Sequence, residues 1–130
     1  MEKATITLVT AEVCTILYFL FGEFDIALQC LLLFIALDYI SGLIKAYCTK
    51  TLSSKIGFKG ILKKVGILAI VALSVSLDRL AGNTGAMRTL VIYYFVANEG
   101  LSVLENFAEA GIPIPNSIKK ALKNIKKEYK

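Results

Sequence analysis

Between Leu31 and Lys64 the chain changes character once, and that change limits what the whole sequence can fold into. The run LLLFIALDYISGLIKAY is apolar and holds one acid, Asp38. The next run, CTKTLSSKIGFKGILKK, has no acid; with Lys45 just before it, the stretch carries Lys45, Lys50, Lys55, Lys59, Lys63 and Lys64. A hydrocarbon-length segment followed by a purely basic one is the pattern of a membrane helix leaving the bilayer on its cytoplasmic side. Composition agrees. The chain is 56% hydrophobic with mean hydropathy +0.66 and 19% charged residues, below the roughly 25% of soluble domains. The expected class is an all-α integral membrane protein.

Four apolar segments are expected to be helices, at about 4–22, 26–47, 61–80 and 87–110. Each is long enough for about 30 Å of hydrocarbon at 1.5 Å per residue. A cleaved signal peptide is the competing reading of the first; against it, Met1-Glu2-Lys3 has no net positive charge beyond the amino terminus, Glu12 interrupts the apolar run, and no Ala-x-Ala site follows. The turn Gly22-Glu23-Phe24-Asp25 and the connection Ala81–Gly85 are short, so the segments pair as two antiparallel hairpins. Gly111, Pro113 and Pro115 end the fourth segment. Residues 1–111 thus form the membrane domain and 112–130 a cytoplasmic tail. In that tail Asn116 or Ser117 can cap a short helix over 117–129. Ile118, Leu122, Ile125 and Tyr129 recur at helical spacing, with Lys119, Lys120, Lys123, Lys126 and Lys127 on the other faces. This basic amphipathic helix suits an anionic membrane surface, and a disordered polybasic tail is its alternative.

Orientation follows from the 15 basic residues. Lys3, six lysines of the central stretch and six of the tail account for 13 of them. Only Arg79 and Arg88 fall at the opposite connections. The positive-inside rule then makes the chain N-in and C-in, in a bacterial cytoplasmic membrane. Lys45, Lys55, Lys63 and Lys64 join the tail lysines as membrane-surface basic residues, with Lys63 and Lys64 snorkelling from the first turn of the third helix. The net charge of +5 therefore speaks for anionic lipid and against nucleic acid.

The polar residues left inside the membrane are the candidate functional positions, because an ionised acid at the bilayer centre costs about 2.5–3.5 kcal/mol. Glu12 shares a face with Thr5 and Thr15 and is either a hydrogen-bonded packing residue or a pore-facing, proton-responsive group. Asp38 leads Ser41, Gly42 and Lys45 at i+3, i+4 and i+7. Lys45 is too far along the helix to pair with it, so Asp38 needs a partner across a helix or subunit interface. In the fourth helix Asn98, Ser102, Glu105 and Glu109 form a wet stripe, with Glu99 and Asn106 beside it. Gly66, Ala69, Ala72 and Ser76 make a small-residue face for helix packing on the third. Nothing supports catalysis. There is no histidine, no phosphate loop and no nucleophile elbow. Cys14, Cys30 and Cys48 lack CxxC spacing, so no metal or cofactor is expected.

Several pieces in one order resemble the bacteriophage lysis and toxin-secretion holin family of Gram-positive phages and clostridia. They are Asp38-Tyr39-Ile40-Ser41-Gly42, Ser53-Ser54-Lys55 with Gly57, Gly60 and Lys63-Lys64, Arg88, Asn98-Glu99-Gly100-Leu101-Ser102, Glu105-Asn106, and Gly111-Ile112-Pro113-Ile114-Pro115. The resemblance covers about residues 30–122 and is weakest over the first helix. It implies a homo-oligomer that opens large lesions in the cytoplasmic membrane. These release an endolysin for host cell lysis, or a toxin lacking a signal peptide. The alternatives are a small four-helix exporter, which would share Glu12 in its first helix, and an antiholin that never opens.

Overall fold

The computed structural model describes all 130 residues, Met1–Lys130. The fold consists of five helices and no strands: α1 (Glu2–Phe21), α2 (Ile26–Cys48), α3 (Ser54–Leu80), α4 (Ala86–Glu109) and α5 (Asn116–Tyr129). Of these, α1, α2 and α3 are long and apolar enough to cross a membrane. The sequence reading expects four such segments, but Asn98, Glu99, Glu105, Asn106 and Glu109 make α4 the least apolar of the first four helices.

Local chemistry sets the helix ends. The Asp25 carboxylate accepts from the Leu28 N–H and starts α2, and the Ser53 hydroxyl accepts from the Ile56 N–H and starts α3. Helix α3 therefore begins at Ser54, seven residues before the expected 61, and most of the expected basic loop is helix. At 27 residues it is about 40 Å long at 1.5 Å per residue, longer than hydrocarbon is thick. The apolar stretch 61–80 is only its second part. Neither Asn116 nor Ser117 caps α5; Pro115 stands at that position and offers no side-chain acceptor.

Helices α2 and α4 run parallel and share the largest interface. Their polar contacts run along the whole length, 63 positions apart at Asp25–Arg88 and 68 at Asp38–Asn106. Helix α3 lies against both, antiparallel to them. The apolar core is where the three meet: Leu28 and Leu31 from α2, Ile67 and Val71 from α3, Ile92 from α4, with Phe21, Ile35 and Phe95 around them. The two-hairpin expectation needs correcting for α1, which packs on α3 rather than on α2, the helix its turn leads into. The small face of α3 also differs from expectation. Gly66, Ala69 and Ser76 are exposed, while Ile67, Val71, Ser74, Val75 and Asp78 are buried. Ile67, Val71 and Val75 bury more apolar area than the small residues do, and they won the interface.

Only 15 of the 130 residues are buried. No residue of α1 is, and Ile6, Leu8, Val9, Val13, Ile16 and Phe19 all stand outward. An apolar surface this continuous fits lipid or protein, not water.

Candidate functional site

Three helices place their charged side chains at one point. Lys64 of α3 turns inward, and its ammonium donates to the carboxylates of both Asp38 on α2 and Glu99 on α4. The three side chains are 12%, 12% and 2% exposed. Around them Asn106 of α4 uses its amide to reach Asp38 Oδ1 at 3.0 Å, the Asp38 carbonyl at 3.3 Å and Ser41 Oγ at 3.0 Å. Ser41 Oγ donates to the Asp38 carbonyl at 3.1 Å. No buried side-chain polar atom is left without a partner. That is the condition for keeping charges in an apolar interior. The cluster holds two acids and one base, so with all three ionised it carries one excess negative charge.

A cleft of about 380 Å³ leads to this cluster. Asp38, Lys64, Ser102 and Asn106 form its inner wall, and Lys45, Ser53 and Lys63 stand along it. Lys45 pairs with Glu109 at 3.1 Å at the ends of α2 and α4.

A second set of charges ties the opposite end of the bundle. The Arg88 guanidinium donates from Nη1 to Asp25 Oδ2 at 2.8 Å, from Nη2 to Asp25 Oδ1 at 3.2 Å, and to the carbonyls of Phe21 and Glu23, each at 2.8 Å. Gly22 makes this approach possible. Its φ is +76°, and a β-carbon there would lie 3.0 Å from Arg88 Nε. Arg88 holds the Asp25 carboxyl below the ordinary carboxylate range. Asp78, itself buried, accepts from the first N–H groups of α4, Met87 at 2.9 Å and Arg88 at 2.8 Å. Arg79 reaches the Phe19 carbonyl and lies 4.8 Å over the Phe19 ring.

Several expected positions change role. Lys64 does not snorkel: two carboxylates satisfy it inside the bundle, and the route to water is taken by its exposed neighbour Lys63. In α4 the buried polar residues are Glu99 and Asn106, while Asn98 and Ser102 are half-buried and Glu105 and Glu109 exposed. Of the wet stripe, Glu105 and Glu109 face outward while Ser102 lines the cleft, and the residues beside the stripe enter the core. Gly42 sits under Asn106, where a β-carbon would be 3.7 Å from Nδ2. Glu12 is exposed on α1 and makes no ion pair or side-chain hydrogen bond; Thr5 and Thr15 bond carbonyls of their own helix. Lys55 is exposed, as are Lys119, Lys120, Lys123 and Lys127, while Lys126 is half-buried. Residues that sequence reasoning missed are Arg88 and Asp78 as anchors of the turn end, and Lys64 as a core cation. Asp78 lies in the last turn of α3, eight positions before α4 begins, so no local capping pattern marks it. Lys64 is 26 positions from Asp38, and no local pattern links the two.

Comparison with known proteins gives the geometry a context. Residues 15–127 match the bacteriophage holin family, 113 of 130 positions. This chain belongs to that family. Among its relatives, a Clostridium perfringens protein described as an uncharacterized 14.9 kDa protein in the nagH 3' region is 48% identical over 112 residues, 85% of each chain. An uncharacterized Listeria monocytogenes protein is 45% identical over 101 residues, 78% of this chain and 72% of the relative. A protein of Bacillus phage phi105 named probable holin is 33% identical over 97 residues, 75% of this chain and 71% of the relative. No solved structure matches. Holin-family proteins are not enzymes, and this member is a membrane protein by family and by its apolar helices.

Proposed function

We propose that the chain acts as a holin, a four-span N-in/C-in protein of the bacterial cytoplasmic membrane that assembles with its own copies and opens lesions. Its cargo is an endolysin for host lysis, or a toxin without a signal peptide. The observation that carries this reading is the closed charge cluster Lys64–Asp38–Glu99 inside a chain whose outer surface is apolar. A single bundle of four helices has no lumen for a protein cargo, so release requires several copies. A closed cluster makes the single copy compatible with lipid and therefore able to accumulate silently. Rearranging α2, α3 and α4 would bring the same side chains to a water-filled lesion, where ionised groups are no longer costly. Glu12 lies outside this cluster and belongs to the outward face of α1, where a copy or a lesion can meet it.

Expression in cells with and without a cytoplasmic endolysin tests the reading. Abrupt lysis that depends on the endolysin is expected. Drug resistance without lysis would point to an exporter, and stable insertion without lysis to an antiholin.

A further inference from the structure

Helix α5 lies back along α4, and the pairing is specific. The rings of Tyr93 and Tyr129 stack with centroids 5.2 Å apart. Leu122 occupies the space above Gly100, where a β-carbon would lie 3.0 Å from Leu122 Cδ1 and 3.2 Å from Phe34 Cε2 of α2. Leu122, Ile125 and Tyr129 are half-buried there, so most of the apolar edge expected to meet lipid is already covered, Ile118 alone standing exposed. The helices are antiparallel, as the matched pairs Gly100–Leu122 and Tyr93–Tyr129 require. Helix α5 has 14 residues, so it accompanies α4 for about 21 Å at 1.5 Å per residue. Hydrocarbon is about 30 Å thick.

Helix α4 is level with α2 at both ends, through Asp25–Arg88 and Lys45–Glu109. A bilayer spanned by α2 is therefore spanned by α4 as packed. A docked α5 would then carry Lys123, Lys126, Lys127 and Lys130 deep alongside it. Lysine stems reach water from a helix end, not from that depth.

We infer that α5 has two mutually exclusive seats: the Gly100–Tyr93 face of α4 when the bundle is out of the bilayer, and an anionic membrane surface once the bundle spans it. The second seat fits by charge, since residues 116–130 hold six lysines and one glutamate. The seat on α4 is lost on insertion and its face is bared to the membrane interior. This inference rests on the four-crossing reading, so the test separates the two.

The full chain, with Cys14, Cys30 and Cys48 changed to Ser, carries the pair Tyr93→Cys and Tyr129→Cys. Disulfide formation is followed in detergent and in vesicles containing phosphatidylglycerol. Sidedness is read in parallel on single Thr84→Cys and Ser117→Cys chains with a membrane-impermeant maleimide. Expected is ready closure in detergent and at least tenfold less in vesicles, with Thr84→Cys and Ser117→Cys labelled from opposite sides. Gly100→Val should weaken closure in detergent without changing sidedness. Equal closure in detergent and vesicles, with the two sites on opposite sides, overturns the two-seat inference and leaves four crossings standing. Both sites labelled from one side overturn the four-crossing reading and the inference with it. No closure in detergent overturns the seat on α4 itself.

Discussion

The bundle has two charge clusters, and they are built in opposite ways. At the turn end Arg88 uses one carboxylate and two backbone carbonyls, and Asp78 uses backbone N–H groups. Asp25 there is partly wet, with 39% of its side chain exposed. In the interior, Lys64, Asp38 and Glu99 come from three helices and depend on one another's side chains, with 2–12% exposed. A guanidinium on backbone carbonyls is a local fastening. It closes the two turns on each other and loses little when water enters. An ammonium shared by two buried carboxylates is a three-body commitment. Losing the lysine leaves both carboxylates without a counter-charge in an apolar place. The same kinds of residue thus serve as a permanent tie at one end and a conditional one in the middle.

The largest expected effect tests the interior. Lys64→Met should destabilise the bundle by about 3–5 kcal/mol, the range for breaking a buried pair by removing one partner. Unfolding of the detergent-solubilised protein by a denaturing detergent measures it. Adding Asp38→Asn and Glu99→Gln to Lys64→Met should restore most of that loss, because no charge is then stranded; a triple variant as weak as Lys64→Met would break the contrast. Arg88→Lys comes next. A single ammonium cannot reproduce the fork onto Asp25, Phe21 and Glu23, and about 1–2 kcal/mol should go, at roughly 1 kcal/mol per hydrogen bond lost. Asn98→Leu should change stability by less than about 0.5 kcal/mol, as for substitutions away from core features, whereas Glu99→Leu should strand Lys64 with Asp38 alone and alter lysis timing in the endolysin assay.

The smallest effect is acid-dependent. The folded Asp25 carboxyl titrates below the ordinary 3.8, so its contribution is full above that value and disappears as pH falls through the folded one. The stability difference between wild type and Asp25→Asn should therefore be constant near neutrality and vanish on acidification below about pH 3.8. Because Asp25 is partly exposed, salt should shrink the same difference. No difference near neutrality would mean that Arg88 acts through the carbonyls alone.

Much of the helix layout was legible because apolar length and lysine bias are one-dimensional signals. The segments at 26–47 and 87–110 differ by a residue or so from α2 and α4. Seven helical residues before 61 escaped notice because Lys55, Gly57, Lys59 and Gly60 break the apolar run that marks a membrane segment. Asp38 and Glu99 could be picked out as costly, since any acid in an apolar run must find a partner. Which partner was not legible. Lys64 looked like one more interfacial lysine, and only the crossing of α3 over α2 and α4 turns it inward. Glu12 carried the same sequence signal as Asp38, yet α1 has no buried face to give it a neighbour.

The parallel pairing of α2 and α4 has a mechanical meaning. Its polar contacts are spread along the helices, from Asp25–Arg88 through Asp38–Asn106 to Lys45–Glu109. Sliding one helix by a turn, about 5.4 Å, would break all of them at once and re-form none. The pair behaves as a key cut for a single depth. It resists small displacements and yields only to a complete change of register, which is how a packed interface becomes a threshold rather than a spring.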